Sequence, residues 1–193
     1  MRLFIAVEAP EAWREAAAVQ QRMLLDALPG ATRELVRPVG PDLMHLTLRF
    51  LGEVDEGAVD PLQAALDGLP PFALDLGLDR AGTFGQPSRA TVAWLGVRGD
   101  LDALRLLTGR IDEACALAGL PPRQDEASTP HLTLARVRRG VTAAGRRAIA
   151  EAARALEPPP AHAVEVREVA LVWSRLGGAS GAAPRYEVLS RHP

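Results

Sequence analysis

Lysine is absent: all 22 basic residues are arginine. A phosphate-binding loop ending in Gly-Lys-Ser/Thr therefore cannot occur. The chain is rich in Ala, Gly and Pro, so the arginine bias reads as coding composition. No single arginine counts as a phosphate ligand without a second argument. Cysteine occurs once, at Cys115, which excludes an internal disulfide and a cysteine-based zinc cluster, and a cytoplasmic location is the default expectation. No apolar run approaches the roughly 18 residues that a membrane span needs. The apolar start, Met1 to Val7, is short and is interrupted by Glu8 and Pro10, so it reads as a first strand and not as a signal peptide. Net charge is −2, unlike a protein that coats long nucleic acid, but compatible with binding one end of a strand.

The 193 residues suffice for one large domain or two small lobes sharing a core. Strand-like segments lie at 2–8, 33–38, 43–51, 72–78, 90–97, 131–137, 163–174 and 184–190. Helical stretches lie at 11–28, 56–68, 100–118 and 142–156. Leu101, Leu104, Leu107, Ile111 and Cys115 fall close to helical spacing, which makes Cys115 a core residue. Residues 120–130 form a Pro-rich polar stretch, and Pro158-Pro159-Pro160 and Gly177-Gly178 mark loops. Strands and helices mix without strict alternation, so the fold class expected is α+β with antiparallel sheets.

What the chain does have is one tetrapeptide written twice. His45-Leu46-Thr47-Leu48 recurs as His131-Leu132-Thr133-Leu134, and these hold two of only four histidines. In a strand, alternation sets His45 and Thr47 on one face, with Leu46, Leu48 and Phe50 behind; His131 and Thr133 likewise share a face. Two such strands across a groove would present two imidazoles and two hydroxyls to one small ligand. In-line cleavage of a P–O bond needs a base on the attacking water and an acid on the departing oxygen, and imidazole serves both roles near neutrality. Thr47 and Thr133 could bond the non-bridging oxygens. The other two, His162 beside a proline run and His192 next to the end, read as solvated. A metal centre is not indicated: position i+2 in each motif is Thr, and Asp42 and Asp125-Glu126 form no ligand pattern. Ser174 and Ser180 lie in no nucleophile elbow.

The chain resembles the two-histidine phosphoesterases, and within them the RNA 2′,3′-cyclic phosphodiesterases, historically called 2′-5′ RNA ligases. The likeness runs through Arg2-Leu3-Phe4-Ile5-Ala6, the first motif extended to Gly52, Thr91 to Val97, Pro130 to Arg136, Ser174 and Tyr186-Glu187-Val188-Leu189. It implies one bilobal catalytic domain over residues 1–193 with pseudo-twofold symmetry. Two antiparallel sheets would face a central cleft, with helices outside. It implies hydrolysis of terminal 2′,3′-cyclic phosphates on RNA or nucleotides to 2′-phosphates, with no cofactor, no metal and no membrane, by a monomer. It also implies that Arg136, five residues after the second His, binds phosphate. Strict alternation puts Arg136 on the wrong face, so a bulge or strand end must turn it inward. Aromatic residues that family members carry before each motif are missing here, which leaves Phe84 as the candidate for stacking on the nucleobase. His131 is assigned as base and His45 as acid. Other readings are a ligase running the same site in reverse, a hydrolase of another cyclic phosphate such as a 1″,2″-cyclic ADP-ribose derivative, and a noncatalytic binder of RNA ends.

Overall fold

A computed structural model describes residues 1–123, 129–160, 163–175 and 184–193. The strands are β1 (Arg2–Glu8), β2 (Val36–Pro38), β3 (His45–Glu53), β4 (Leu74–Phe84), β5 (Val92–Gly99), β6 (His131–Val137), β7 (Val164–Val166), β8 (Val169–Arg175) and β9 (Arg185–His192). The helices are α1 (Glu11–Asp26), α2 (Gly30–Arg33), α3 (Val59–Asp67), α4 (Leu101–Leu117) and α5 (Ala143–Ala155). This is the expected α+β class, with local differences, among them β4, which runs on to Phe84 past the expected end at 78. The segment 33–38 is strand only from Val36, because a helical turn occupies Gly30–Arg33. The segment 163–174 is two strands, broken at Arg167 and Glu168. His162, Asp125, Glu126, Ser180 and the Gly177-Gly178 loop lie outside the described residues.

Local chemistry starts and stops the helices. Pro10, at φ −59°, precedes α1 and its carbonyl accepts from the amides of Trp13 and Arg14. Thr142 caps α5 by accepting from the amide of Gly145 at 3.1 Å. Trp13, Ala17 and Leu24 of α1, Leu104, Leu107, Ile111 and Cys115 of α4, and Ile149 and Ala153 of α5 are buried in one core with Leu3, Ile5, Leu46, Leu95 and Leu132 of the strands. Cys115 is thus the core residue expected, and burial pushes its thiol up to about 11.

The strands run in one antiparallel path, β7-β4-β5-β6-β3-β1-β8-β9, with β2 added beside β6. Its centre is narrow, since β3 and β6 share a single register pair, Leu46 with Leu132. Beyond it β2 takes the place beside β6, pairing Val36, Arg37 and Pro38 with Val137, Arg136 and Ala135. Two four-stranded arms result, β3-β1-β8-β9 and β6-β5-β4-β7, each starting at one His-x-Thr strand. Phe4, Ala6, Ala170 and Val172 form a second small core on the face of the first arm opposite the helices.

Both motif strands bulge at their fourth residue. Ile5 pairs with Arg49 and Ala6 with Thr47, which leaves Leu48 extra. Ala93 pairs with Ala135 and Trp94 with Thr133, which leaves Leu134 extra. An extra residue reverses the inside–outside phase of whatever follows. Phe50, expected on the apolar back, is instead 47% exposed, while Arg49 is only 4% exposed. Arg49 Nη2 donates to the Pro121 carbonyl at 2.7 Å, and its Nη1 lies 3.3 Å from Asp112, which also pairs with Arg123 at 3.1 Å.

His192 also departs from expectation. It is buried, its Nδ1–H donates to Asp67 at 2.6 Å, and its Nε2 lies 2.8 Å from Ser190 Oγ. The alternation of β9 carries it inward against α3, where the carboxylate meets it, so nearness to the chain end did not mean solvation. Asp112 is the carboxylate that offsets the buried Arg49. Asp112→Ala should destabilise the protein by roughly 3 kcal/mol in denaturant unfolding, the usual consequence of stranding a buried charge.

Candidate active site

The pairing of Leu46 with Leu132 fixes how the two motifs meet. Continuing that antiparallel register sets His45 beside Thr133 and Thr47 beside His131. Each imidazole thus lies next to the hydroxyl of the other motif, and all four side chains point to the face away from the helices. The four are half-buried.

The two histidines are held in the same way. His45 Nδ1 lies 2.9 Å from the Leu43 carbonyl, and His131 Nδ1 lies 2.8 Å from the Thr129 carbonyl, each two residues upstream. A carbonyl oxygen only accepts, so Nδ1 carries the hydrogen in both rings, and Nε2 is left to accept a proton or, once protonated, to donate one. Aromatic walls orient the rings. Phe4 stacks on His45 with centroids 4.6 Å apart, and Tyr186 meets His45 edge-on at 5.2 Å. Phe84 meets His131 edge-on at 4.7 Å, and Trp94 lies 6.4 Å from it. The indole of Trp94 lies across Gly82, where a Cβ would come within 2.6 Å of the ring, so only glycine leaves it room.

Arg136, which follows the bulge at Leu134, is exposed on the same face as the histidines. It lines a cavity of about 200 Å³ with His45, Thr133, Arg37, Leu43 and Tyr186. Its positive charge acts on both imidazoles. His45 is lowered to about 4, by burial first, then against the opposing Leu43 bond by Arg136 and His131. His131 is also lowered, by burial and by Arg136, with the Thr129 bond opposing. An anion bound between them removes part of that penalty, because it favours the imidazolium forms. Among the described residues no group of three or more His, Cys, Asp or Glu gathers as metal ligands.

A family profile of the 2′-5′ RNA ligase superfamily matches residues 9–178. The chain belongs to that superfamily. An RNA 2′,3′-cyclic phosphodiesterase of Methanothermobacter thermautotrophicus is 31% identical over 180 residues, covering 91% of each chain. One from Archaeoglobus fulgidus is 31% identical over 139 residues, 72% of this chain and 74% of that one. Among solved structures, Escherichia coli LigT complexed with 3′-AMP superposes with a TM-score of 0.69 at 30% identity, covering 98% of this chain and 95% of that one. A Thermus thermophilus structure gives 0.72 at 26% identity, covering 100% and 97%.

Of the residues singled out in the sequence, His45, Thr133 and Arg136 line one cavity. His131 stands beside Phe84, and Thr47 lies opposite Ala6 on the His45 face. Phe84 is half-buried at the site, not deep in the core. Sequence reasoning missed Phe4, Trp94 and Tyr186 as the other walls, and Arg37, whose Cα register partner is Arg136. The signal available was scarcity: the chain has only four Phe, three Trp and one Tyr, so an aromatic in phase with either motif was informative.

Neutral His45 ties pH to stability. Its ordinary value is 6.5, and the folded protein holds it near 4. Between those values the unfolded chain binds a proton that the folded one refuses. The stability from neutral His45 is therefore complete above about pH 6.5 and is lost as pH falls through about 4. His131 acts in the same sense. Melting temperature should fall across this window, and His45→Ala should flatten the fall; an unchanged slope in that variant would remove His45 as its source.

Proposed function

We propose that this chain is an RNA 2′,3′-cyclic phosphodiesterase, hydrolysing terminal cyclic phosphates on RNA or nucleotides to 2′-phosphates with His45 and His131 as its acid–base pair. The observation that carries the reading is the mirrored pair of imidazoles, each oriented by its own backbone carbonyl and both acting with Arg136 on one side of the sheet. The names of the relatives support it. In this reading residues 1–193 form a single bilobal domain. The two arms are its lobes, related by a pseudo-twofold axis near Leu46 and Leu132, and their free faces line a cleft. The protein acts as a cytoplasmic monomer.

In the reaction a water oxygen forms a new bond to phosphorus as the bond from phosphorus to the ribose O3′ breaks. One imidazole takes the proton of the water at Nε2, and the other gives its Nε2 proton to O3′. Arg136 and the hydroxyls of Thr47 and Thr133 hold the non-bridging oxygens as charge builds. Phe84, with Trp94 behind it, offers a face to the terminal base. Burial and the Arg136 charge lower both imidazoles, and in this reading His131 is the base and His45 the acid.

The test is an oligonucleotide with a 2′,3′-cyclic end, incubated with and without a 5′-hydroxyl partner. A 2′-phosphate product in both cases supports the reading; a longer product identifies a ligase, and unchanged substrate identifies a binder. Activity should persist in excess chelator without any nucleoside triphosphate. His45→Ala and His131→Ala should each lower the rate by roughly 10²–10⁴-fold, and the double variant should be little worse. Thr47→Ala, Thr133→Ala and Arg136→Ala should be milder, and His162→Ala should leave the rate unchanged. The rate against pH should be bell-shaped, with limbs that belong to the pair and not to either ring.

A further inference from the structure

The bulge at Leu134 decides where Arg136 points, so whatever holds that bulge acts on the phosphate site at one remove. An extra residue interrupts the strand ladder, and its backbone groups need other partners. At the first motif, the Leu48 carbonyl accepts from Arg123 Nη2 at 2.9 Å, and Asp112 anchors that guanidinium. At the second motif, the Leu134 carbonyl accepts from Gln21 Nε2 at 2.7 Å, and also from the Val39 amide at 2.9 Å. The same device therefore occurs twice: a side chain from outside the sheet holds the carbonyl of the bulged residue.

Gln21 does more than its counterpart. Its Nε2 also donates to the Val39 carbonyl at 2.9 Å. Both hydrogens of one amide nitrogen are thereby used, one on the bulge and one on the segment beside β2. Pro38, Val39 and Gly40 of that segment line the cavity with Arg136, His45 and Thr133. One half-buried side chain of α1 thus fixes the cavity wall and the bulge that aims the guanidinium. Gln21 stands next to the buried stripe Trp13, Ala17, Gln20 and Leu24 but is not part of it. Filling the core is therefore not its role.

We propose that Gln21 is a positioning residue for phosphate binding: by holding the Leu134 carbonyl against the Val39 segment, it keeps Arg136 on the cleft face. The inference rests on the reading of Arg136 as the phosphate ligand. Without the amide hydrogens the bulge can relax toward regular alternation, which turns residue 136 away from His131.

The experiment is a double-mutant cycle on the full chain with Gln21→Met, Arg136→Ala and the two together. Gln21→Met keeps side-chain length and helix preference while removing both donors. Three quantities are read: kcat/KM on a nucleoside 2′,3′-cyclic phosphate, inhibition by inorganic phosphate, and melting temperature. Gln21→Met should lower kcat/KM by roughly tenfold, the scale of a small misplacement at a reacting site. It should weaken phosphate inhibition by a similar factor. In the Arg136→Ala background it should change either quantity by less than about twofold, because the residue it positions is gone. Gln21→Glu, close in shape and also lacking the donors, should repeat the pattern if Gln21→Met folds poorly. The same loss in both backgrounds, or a fall in melting temperature with phosphate inhibition intact, would overturn the proposal and leave Gln21 a structural residue. If Arg136→Ala itself leaves turnover and phosphate inhibition as in the wild type, the reading of Arg136 is what fails.

Discussion

The extra residue at the fourth position of each motif strand, Leu48 and Leu134, governs what the cleft face carries next. A strand without a bulge would keep Phe50 and Arg136 behind the sheet, with the leucines that precede them. The extra residue lets a single short strand bury Leu46, Leu48 and Arg49 in sequence, then bring Phe50 out; its twin buries Leu132, Leu134 and Ala135, then brings out Arg136. A hydrogen-bonding defect thus brings the Arg136 guanidinium to the cavity that His45 and Thr133 line. It also explains why strands that close a hydrophobic core on one side can carry such unlike residues on the other.

The site is built to keep its imidazoles neutral when empty and oriented at all times. Burial and Arg136 both disfavour a charged ring, while the carbonyls of Leu43 and Thr129 hold the Nδ1 hydrogens. A guanidinium near two histidines disfavours their charged forms until an anion arrives, which in the proposed function is the phosphate. A bound anion lowers the cost of the guanidinium and of an imidazolium together, so the proposed mechanism couples substrate binding to protonation of the acid. The aromatic walls contribute by covering part of each ring, Phe4 and Tyr186 at His45 and Phe84 at His131.

Much of this was legible in the residues. The duplicated tetrapeptide located both motif strands, and period-two alternation set each His and Thr on one face. The need for a bulge at Arg136 followed from a conflict between its position and its expected role. The same logic applied to the first motif would have moved Phe50 outward and Arg49 inward, but no expected function for either residue raised the conflict there. His192 was misread because position near a chain end says little when alternation within the strand and an acidic residue on a packed helix decide burial. Arg37 and Tyr186 reach the cavity through strand pairings distant in sequence, β2 with β6 and β1 with β8, which no local pattern reveals.

The repeat also shows where symmetry must break. The backbone makes two equivalent half-sites, with the same bulge, the same carbonyl two residues before each His, and an aromatic pair beside each ring. A symmetric site would hold a phosphate equally well in either orientation and could not separate base from acid. The side chains remove that ambiguity at two positions. Four residues after the His stand Arg49 and Ala135, and five after stand Phe50 and Arg136. In the first half the arginine is buried against Asp112 and has no part in the cleft; in the second it faces the cavity. The motif arginine therefore reaches the cavity from the second half only, while in the first half Arg2 of β1 lies over Phe50, 5.0 Å from the ring centre. In the proposed reaction Arg136 would meet the phosphate from the side of the second motif, which gives the duplicated strand a direction.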